Sequence, residues 1–141
     1  LELAQIRMKK KAIIISIKSF KLSSKEKLLL SKEKPWGLIL FKRNIKSFDQ
    51  VKKIIFNIKK ITKSKKFPIL IDEEGLFVSR LRNIFDHKFN AYYFGELYKI
   101  NQKLALVLYK NYLESLCKKL KSIGVNINTI PVLDVLRKTT N

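Results

Sequence analysis

The sequence predicts an α/β fold on a parallel sheet, built from about four βα units and equivalent to the first half of a TIM-type (β/α)8 barrel. Three observations carry this. Apolar runs of strand length alternate with amphipathic stretches of helical period, which is the pattern of βα units. One run, Phe67-Pro68-Ile69-Leu70-Ile71, ends in three consecutive carboxylates, Asp72-Glu73-Glu74, and then Gly75. An unbroken apolar run fits a strand buried on both faces, and in parallel sheets ligands gather at the carboxyl ends of such strands. The third observation is length: 141 residues, against about 250 for a complete barrel.

The first strand is expected over Ala12 to Ile17. Lys9-Lys10-Lys11 ahead of it gives a superficial likeness to a signal peptide, but the apolar core is too short and no small-residue cleavage site follows. Met8 stands just before this strand, so Leu1 to Arg7 are expected to lie outside the true start. Ser23 and Glu26 have capping-box spacing, in which hydroxyl and carboxylate satisfy free amides at a helix start. That helix should reach about Glu33 and stop at Pro35, before a second strand over Trp36 to Phe41. Ser47 and Gln50 suggest another capping box, and Val51, Ile54, Ile55 and Ile58 fall on one helical face. The third strand is Phe67 to Ile71, followed by a short helix around Ala91 to Tyr98. A long helix over Gln102 to Ile123 presents Ala105, Leu108, Tyr109, Tyr112, Leu116 and Leu120, and Gly124 is placed to end it in the left-handed conformation. Val125 to Thr129 is the fourth strand. No repeat or linker divides the chain, which reads as one partial domain over residues 1–141.

The formal charge is +20, with a sequence pI near 10.1. Such an excess ordinarily points to nucleic acid. Only five of the 31 basic residues are Arg, however, and the Lys are spread along nearly every segment. Arg is the residue that forks onto phosphate and guanine, so a scattered Lys excess is a poorer match to specific recognition. Cys117 is the only cysteine, which excludes an intrachain disulfide and suits a reducing, cytoplasmic compartment. No Cys or His cluster suggests a metal, no cofactor is expected, and no run approaches the ~18 apolar residues of a membrane span.

Three segments resemble the β-N-acetylhexosaminidases of glycoside hydrolase family 3. Pro35-Trp36-Gly37-Leu38-Ile39-Leu40-Phe41-Lys42-Arg43-Asn44-Ile45 is similar to the family's P-W-G-x-I-L-F-x-R-N-I. Ile71-Asp72-Glu73-Glu74-Gly75-Leu76-Phe77-Val78-Ser79-Arg80-Leu81 is similar to I-D-Q-E-G-G-R-V-x-R-L. Gly124-Val125-Asn126-Ile127-Asn128-Thr129-Ile130-Pro131-Val132-Leu133-Asp134-Val135 is similar to G-I-N-x-N-x-A-P-V-L-D-V. Order and spacing agree from about Ala12 to Val135, and Phe94-Gly95-Glu96-Leu97-Tyr98 also looks like the family.

The resemblance implies that Asp72 and Arg80 hold the hydroxyls and amide of a bound N-acetylglucosamine-containing saccharide. A carboxylate accepts from two hydroxyls at once, and a guanidinium donates in a fixed fork. Their plainer alternatives are a helix cap or loop ion pair for Asp72, and a solvated or Asp134-paired role for Arg80. Glu74 is expected to serve loop architecture, Glu73 to be solvent-exposed, and Asp134 to organise neighbouring loops. Leu76 and Phe77 replace the family's second Gly and its Arg, which should stiffen the loop and remove a charge.

In the family the aspartate nucleophile, a His-Asp acid/base dyad, a further Arg and a Lys-His pair all come after the equivalent of Val135. His87, the sole histidine, lies in the wrong segment and reads as a loop residue. The resemblance therefore implies an O-glycosyl hydrolase fold fragment without a catalytic residue of its own. The complete enzyme would release terminal N-acetylglucosamine from cell-wall fragments, and a separately encoded C-terminal half is the partner that would complete it. The alternative, a basic remnant that binds nucleic acid or another polyanion, rests on the charge alone.

Overall fold

A computed structural model describes residues 10–85 and 88–132. Four strands, β1 (Lys11–Ile15), β2 (Pro35–Leu40), β3 (Ile69–Ile71) and β4 (Ile127–Asn128), form one parallel sheet in sequence order. The helices are α1 (Ser24–Glu33), α2 (Phe48–Ile61), α3 (Ala91–Ile100) and α4 (Gln102–Ile123), with a 3-10 turn at Lys42–Asn44. Strands added in one direction by like-handed crossovers bring their helices side by side. Accordingly α1 packs on α2, and α2 on α4.

The helix signals in the sequence act as expected, with one exception. Ser23 and Glu26 close a full capping box at α1, which ends at Lys34 in a left-handed conformation just before Pro35. At α2 only half of the second box forms. The Ser47 hydroxyl accepts from Gln50 N–H, whereas the Gln50 side chain accepts from Lys46 N–H and donates to the Phe20 and Asn44 carbonyls. Gln50 is thus diverted from the cap because those two loop carbonyls lie within its reach. Gly124 ends α4 at φ 96°, where a Cβ would come within 2.8 Å of Ile55 Cγ2.

The core lies between sheet and helices. Val51, Ile54, Ile55 and Ile58 of α2 meet Leu38, Leu40, Ile69 and Ile71 of the strands, with Leu116, Leu120 and Ile123 of α4 completing the layer. Leu108 is a correction: it was expected on the buried face and is 39% exposed. The first half of α4 packs on α3 through Phe94, whose ring lies 4.8 Å from Tyr109 and 5.3 Å from Tyr112. The interior strand β3 is buried throughout, while Ile13 and Ile14 on the β1 edge are 51% and 43% exposed.

Two features set the spacing of the sheet. A Cβ on Gly37 would stand 3.0 Å from Pro68 Cβ and 3.1 Å from Pro68 O, so glycine lets β2 close on the entry to β3. Short β4 is reinforced by side chains. Asn126 accepts from Ile69 N–H at 2.7 Å and donates to Phe67 O at 3.0 Å, and Asn128 accepts from Glu73 N–H at 2.9 Å and donates to Glu73 O at 3.0 Å. Each carboxamide thus imitates a backbone unit. No helix among the described residues is long and apolar enough to cross a membrane.

Candidate functional site

Because the strands are parallel, the residues that follow them share one rim: Ser16 after β1, Phe41 and Arg43 after β2, Asp72 after β3 and Thr129 after β4. Two neighbouring loops are tied together first. Buried Asn44 donates to the Ile17 and Ser19 carbonyls and accepts from Phe41 N–H, while Arg43 donates to Ile17 O and Ser16 Oγ. The R-N pair therefore fixes the β1 and β2 ends before any ligand arrives.

Asp72 and Arg80 come together on this rim. Arg80 Nη2 donates to Asp72 Oδ2 at 3.2 Å, and Thr129 Oγ1 donates to Asp72 Oδ1 at 3.1 Å. The pair is partly open, with the Arg and Asp side chains 29% and 22% exposed. A carboxylate offers about four lone-pair sites, so roughly two remain for an incoming hydroxyl. The Arg80 guanidinium also lies 5.9 Å from the Phe41 ring centre, and Arg43 lies 4.7 Å from the same ring. Both distances allow cation–π attraction. Arg80 Nε is buried with no hydrogen-bond acceptor among the described residues.

Glu73 is the main correction. It was expected in solvent and is wholly buried. Neighbours on an extended segment point to opposite sides, so Asp72 facing the rim turns Glu73 inward. There its Oε2 accepts from the backbone N–H groups of Arg80 and Leu81, each at 2.9 Å. The intervening chain makes this possible by doubling back: Glu74 N–H and Gly75 N–H both donate to Val78 O. Gly75 sits at φ 127°, where a Cβ would be 2.7 Å from Phe89 O. Leu76, in contrast to the expectation, needs no glycine conformation, since among the described residues Lys34 and Lys63 are the non-glycines at positive φ. One glycine is enough for the bend. Burial raises the pKa of the Tyr112 phenol, and the negative charge of Glu73 adds to the shift.

Glu74 contributes its N–H to this bend, and its residue lines a separate hollow of about 170 Å³ with Phe77, Asn90 and Tyr92. Asp134 and His87 lie outside the described residues, as do Leu1 to Lys9. Among the described residues no group of His, Cys, Asp or Glu could hold a metal ion. Thr129, Phe41, Asn44 and Asn128 were not singled out from sequence. The alternation Asn126-x-Asn128, with polar side chains two apart on one strand face, was the available signal for the last of them.

The chain is 27% identical over 125 residues to a beta-hexosaminidase from Xanthomonas campestris pv. campestris, a match covering 89% of this chain and 38% of that protein. Its fold matches NagZ from Neisseria gonorrhoeae in complex with N-trifluoroacetyl-D-glucosamine, with a TM-score of 0.78 and 26% identity over 89% of this chain and 38% of that one. A glycoside hydrolase family 3 beta-N-acetylglucosaminidase from Paenibacillus sp. shares the fold with a TM-score of 0.70 at 23% identity, over 86% of this chain and 23% of that one. The chain is similar in sequence to curated beta-hexosaminidases. No family model matches it. It spans a little over a third of the length of the curated beta-hexosaminidases that it matches, 38% in the Xanthomonas case. Within that span, the parallel sheet and its helices match those of solved NagZ from Neisseria gonorrhoeae.

Proposed function

We propose that this chain forms the sugar-holding rim of a hexosaminidase-type glycoside hydrolase, supplying four βα units of a (β/α)8 barrel. The observation that carries the reading is the Asp72–Arg80–Thr129 cluster, set at the strand ends of a chain whose relatives are beta-hexosaminidases. Asp72 would accept from two sugar hydroxyls, and Arg80 would turn its spare N–H groups to a hydroxyl or to the N-acetyl carbonyl. The substrate is a saccharide with terminal N-acetylglucosamine, such as a cell-wall fragment processed in the cytoplasm.

These residues hold the sugar without cleaving it. Retaining hydrolysis uses a nucleophile and a separate acid/base group on opposite sides of one bond, most often two carboxyl groups about 5 Å apart. Asp72 and Glu73 face opposite ways, and Glu73 Oε2 is occupied by two backbone N–H groups. Hydrolysis therefore depends on the remaining strands of the barrel, carried on the same chain or on a separately encoded half that pairs with the sheet.

Titration of the protein with N-acetylglucosamine, followed by NMR, tests the binding step. Asp72→Ala should abolish the response and Arg80→Lys should weaken it, while a chromogenic N-acetylglucosaminide stays intact. Wild-type protein that shows no response to the sugar, or a response that Asp72→Ala leaves unchanged, would overturn the assignment.

A further inference from the structure

The lysines look scattered along the sequence, yet folding gathers several of them around one aromatic ring. On α2, Lys52, Lys53, Phe56, Lys59 and Lys60 occupy a face about 120° wide at ~100° per residue, opposite buried Val51, Ile54 and Ile58. Lys63, just beyond the helix, extends it. Phe56 is 66% exposed at its centre. A phenylalanine ringed by cations in open water adds nothing to the core, and the only carboxylate on α2 is Asp49 in its first turn.

The face leads into two adjoining hollows at the end of the sheet opposite Asp72. The first, of about 540 Å³, is lined by Phe56, Lys60, Lys63 and Lys65. The second, of about 380 Å³, shares Lys63 and Ser64 with it and adds Lys10 and Lys34 over an apolar floor that includes Leu30 and Phe67. Among the described residues, no carboxylate lines either hollow. Lys59 has a structural role to set against this. It donates to Gly124 O at 2.9 Å, and cations at a helix C-terminus offset its dipole of about half a charge. Lys52, Lys53, Lys60 and Lys63 remain exposed.

We propose that the solvent face of α2 and the hollows at its C-terminal end bind single-stranded nucleic acid, with Phe56 as the stacking platform and the surrounding lysines on the phosphates. A basic track with an interleaved exposed aromatic is the arrangement that holds single strands without reading sequence. Lysine suits it because a point charge on a flexible stem follows a mobile backbone, whereas base-specific readout calls for the fixed fork of arginine.

The test is fluorescence anisotropy of the 141-residue chain with a labelled oligothymidylate of about 20 nucleotides, titrated from about 50 to about 200 mM salt. Four lysine–phosphate contacts give a log–log salt slope of about −3, at about −0.7 each. Phe56→Ala should weaken binding about five- to a hundredfold. It should leave binding of heparin, which has charge but no bases, unchanged. Lys52→Gln with Lys60→Gln should reduce the slope by about 1.4. Lys103→Gln with Lys110→Gln, which removes the same charge from α4, should leave the slope close to wild type. Absence of oligothymidylate binding at low salt overturns the proposal. So does a Phe56→Ala protein that binds it normally or loses heparin equally, or a slope lowered as much by the α4 pair as by the α2 pair. All four substitution sites on α2 and α4 that carry lysine, and Phe56 itself, are exposed, so each variant can fold.

Discussion

Replacing Glu73 is the sharpest test of how the rim is built. Its Oε2 accepts from two backbone donors, Arg80 N–H and Leu81 N–H, at 2.9 Å each, and the residue is 0% exposed. Glu73→Ala removes the shared acceptor from a site that bulk water does not reach. A buried donor stripped of its partner costs about 1–3 kcal/mol. Leu81 N–H is buried and should approach the upper figure, while Arg80 N–H is only partly buried and should fall near the lower. The expected loss is about 2–4 kcal/mol, read as a lower urea midpoint with an unchanged slope. Glu73→Gln keeps an oxygen that can accept both bonds and should cost about 1 kcal/mol or less, because weaker neutral bonds are offset by no longer burying a charge. Sugar binding should follow the same order, since the carboxylate also positions the backbone from which Arg80 reaches Asp72. A Glu73→Ala protein within about 0.5 kcal/mol of wild type, the range of an ordinary surface substitution, would refute the reasoning.

Other expectations follow from single features of the fold. Gly124→Ala combines φ 96° with a 2.8 Å contact to Ile55 Cγ2 and should lower stability by more than about 1 kcal/mol in urea unfolding. Asn126→Ala removes both bonds to the start of β3, at Ile69 N–H and Phe67 O, and should cost about 1–3 kcal/mol; Asn126→Asp, which keeps only the acceptor, should recover part of it in the same assay. Burial pushes the Glu26 carboxyl up, but hydrogen bonds from Lys18 N–H and from the Ser23 hydroxyl and N–H outweigh it, so its folded pKa is lowered below 4.5. A depressed carboxylate stabilises the fold above its unfolded pKa, and that stability is lost as pH falls through the folded one. Wild type should therefore lose more stability than Glu26→Gln below about pH 4.5, and parallel acid titrations of the two proteins would refute this.

The helices were legible because their signals are local. Capping at Ser23, the four apolar positions of α2 and the stop at Gly124 each act within a turn or two of chain. Strand limits were less so: the expected Val125 to Thr129 shortens to Ile127–Asn128. A short parallel strand is defined by its neighbour, and here carboxamide side chains take over where the backbone ladder gives out. Leu108 shows the same dependence at the level of packing. Its place on the apolar stripe of α4 could be read from period, but which part of that stripe meets α3 could not.

The site divides along the same line. Asp72 and Arg80 could be matched to a motif, and their 3.2 Å contact joins residues eight apart through a turn that needs only Gly75 at positive φ. Glu73 was misplaced because composition makes a carboxylate look like a surface group, a sound rule that fails when backbone donors surround it. Alternation along the strand already required Asp72 and Glu73 to part company. Applied to burial as well as to catalysis, it would have sent one acid to the rim and the other inward. The two acids thus have linked tasks: Asp72 meets the open rim, and Glu73 holds the returning chain so that Arg80 can meet Asp72 there.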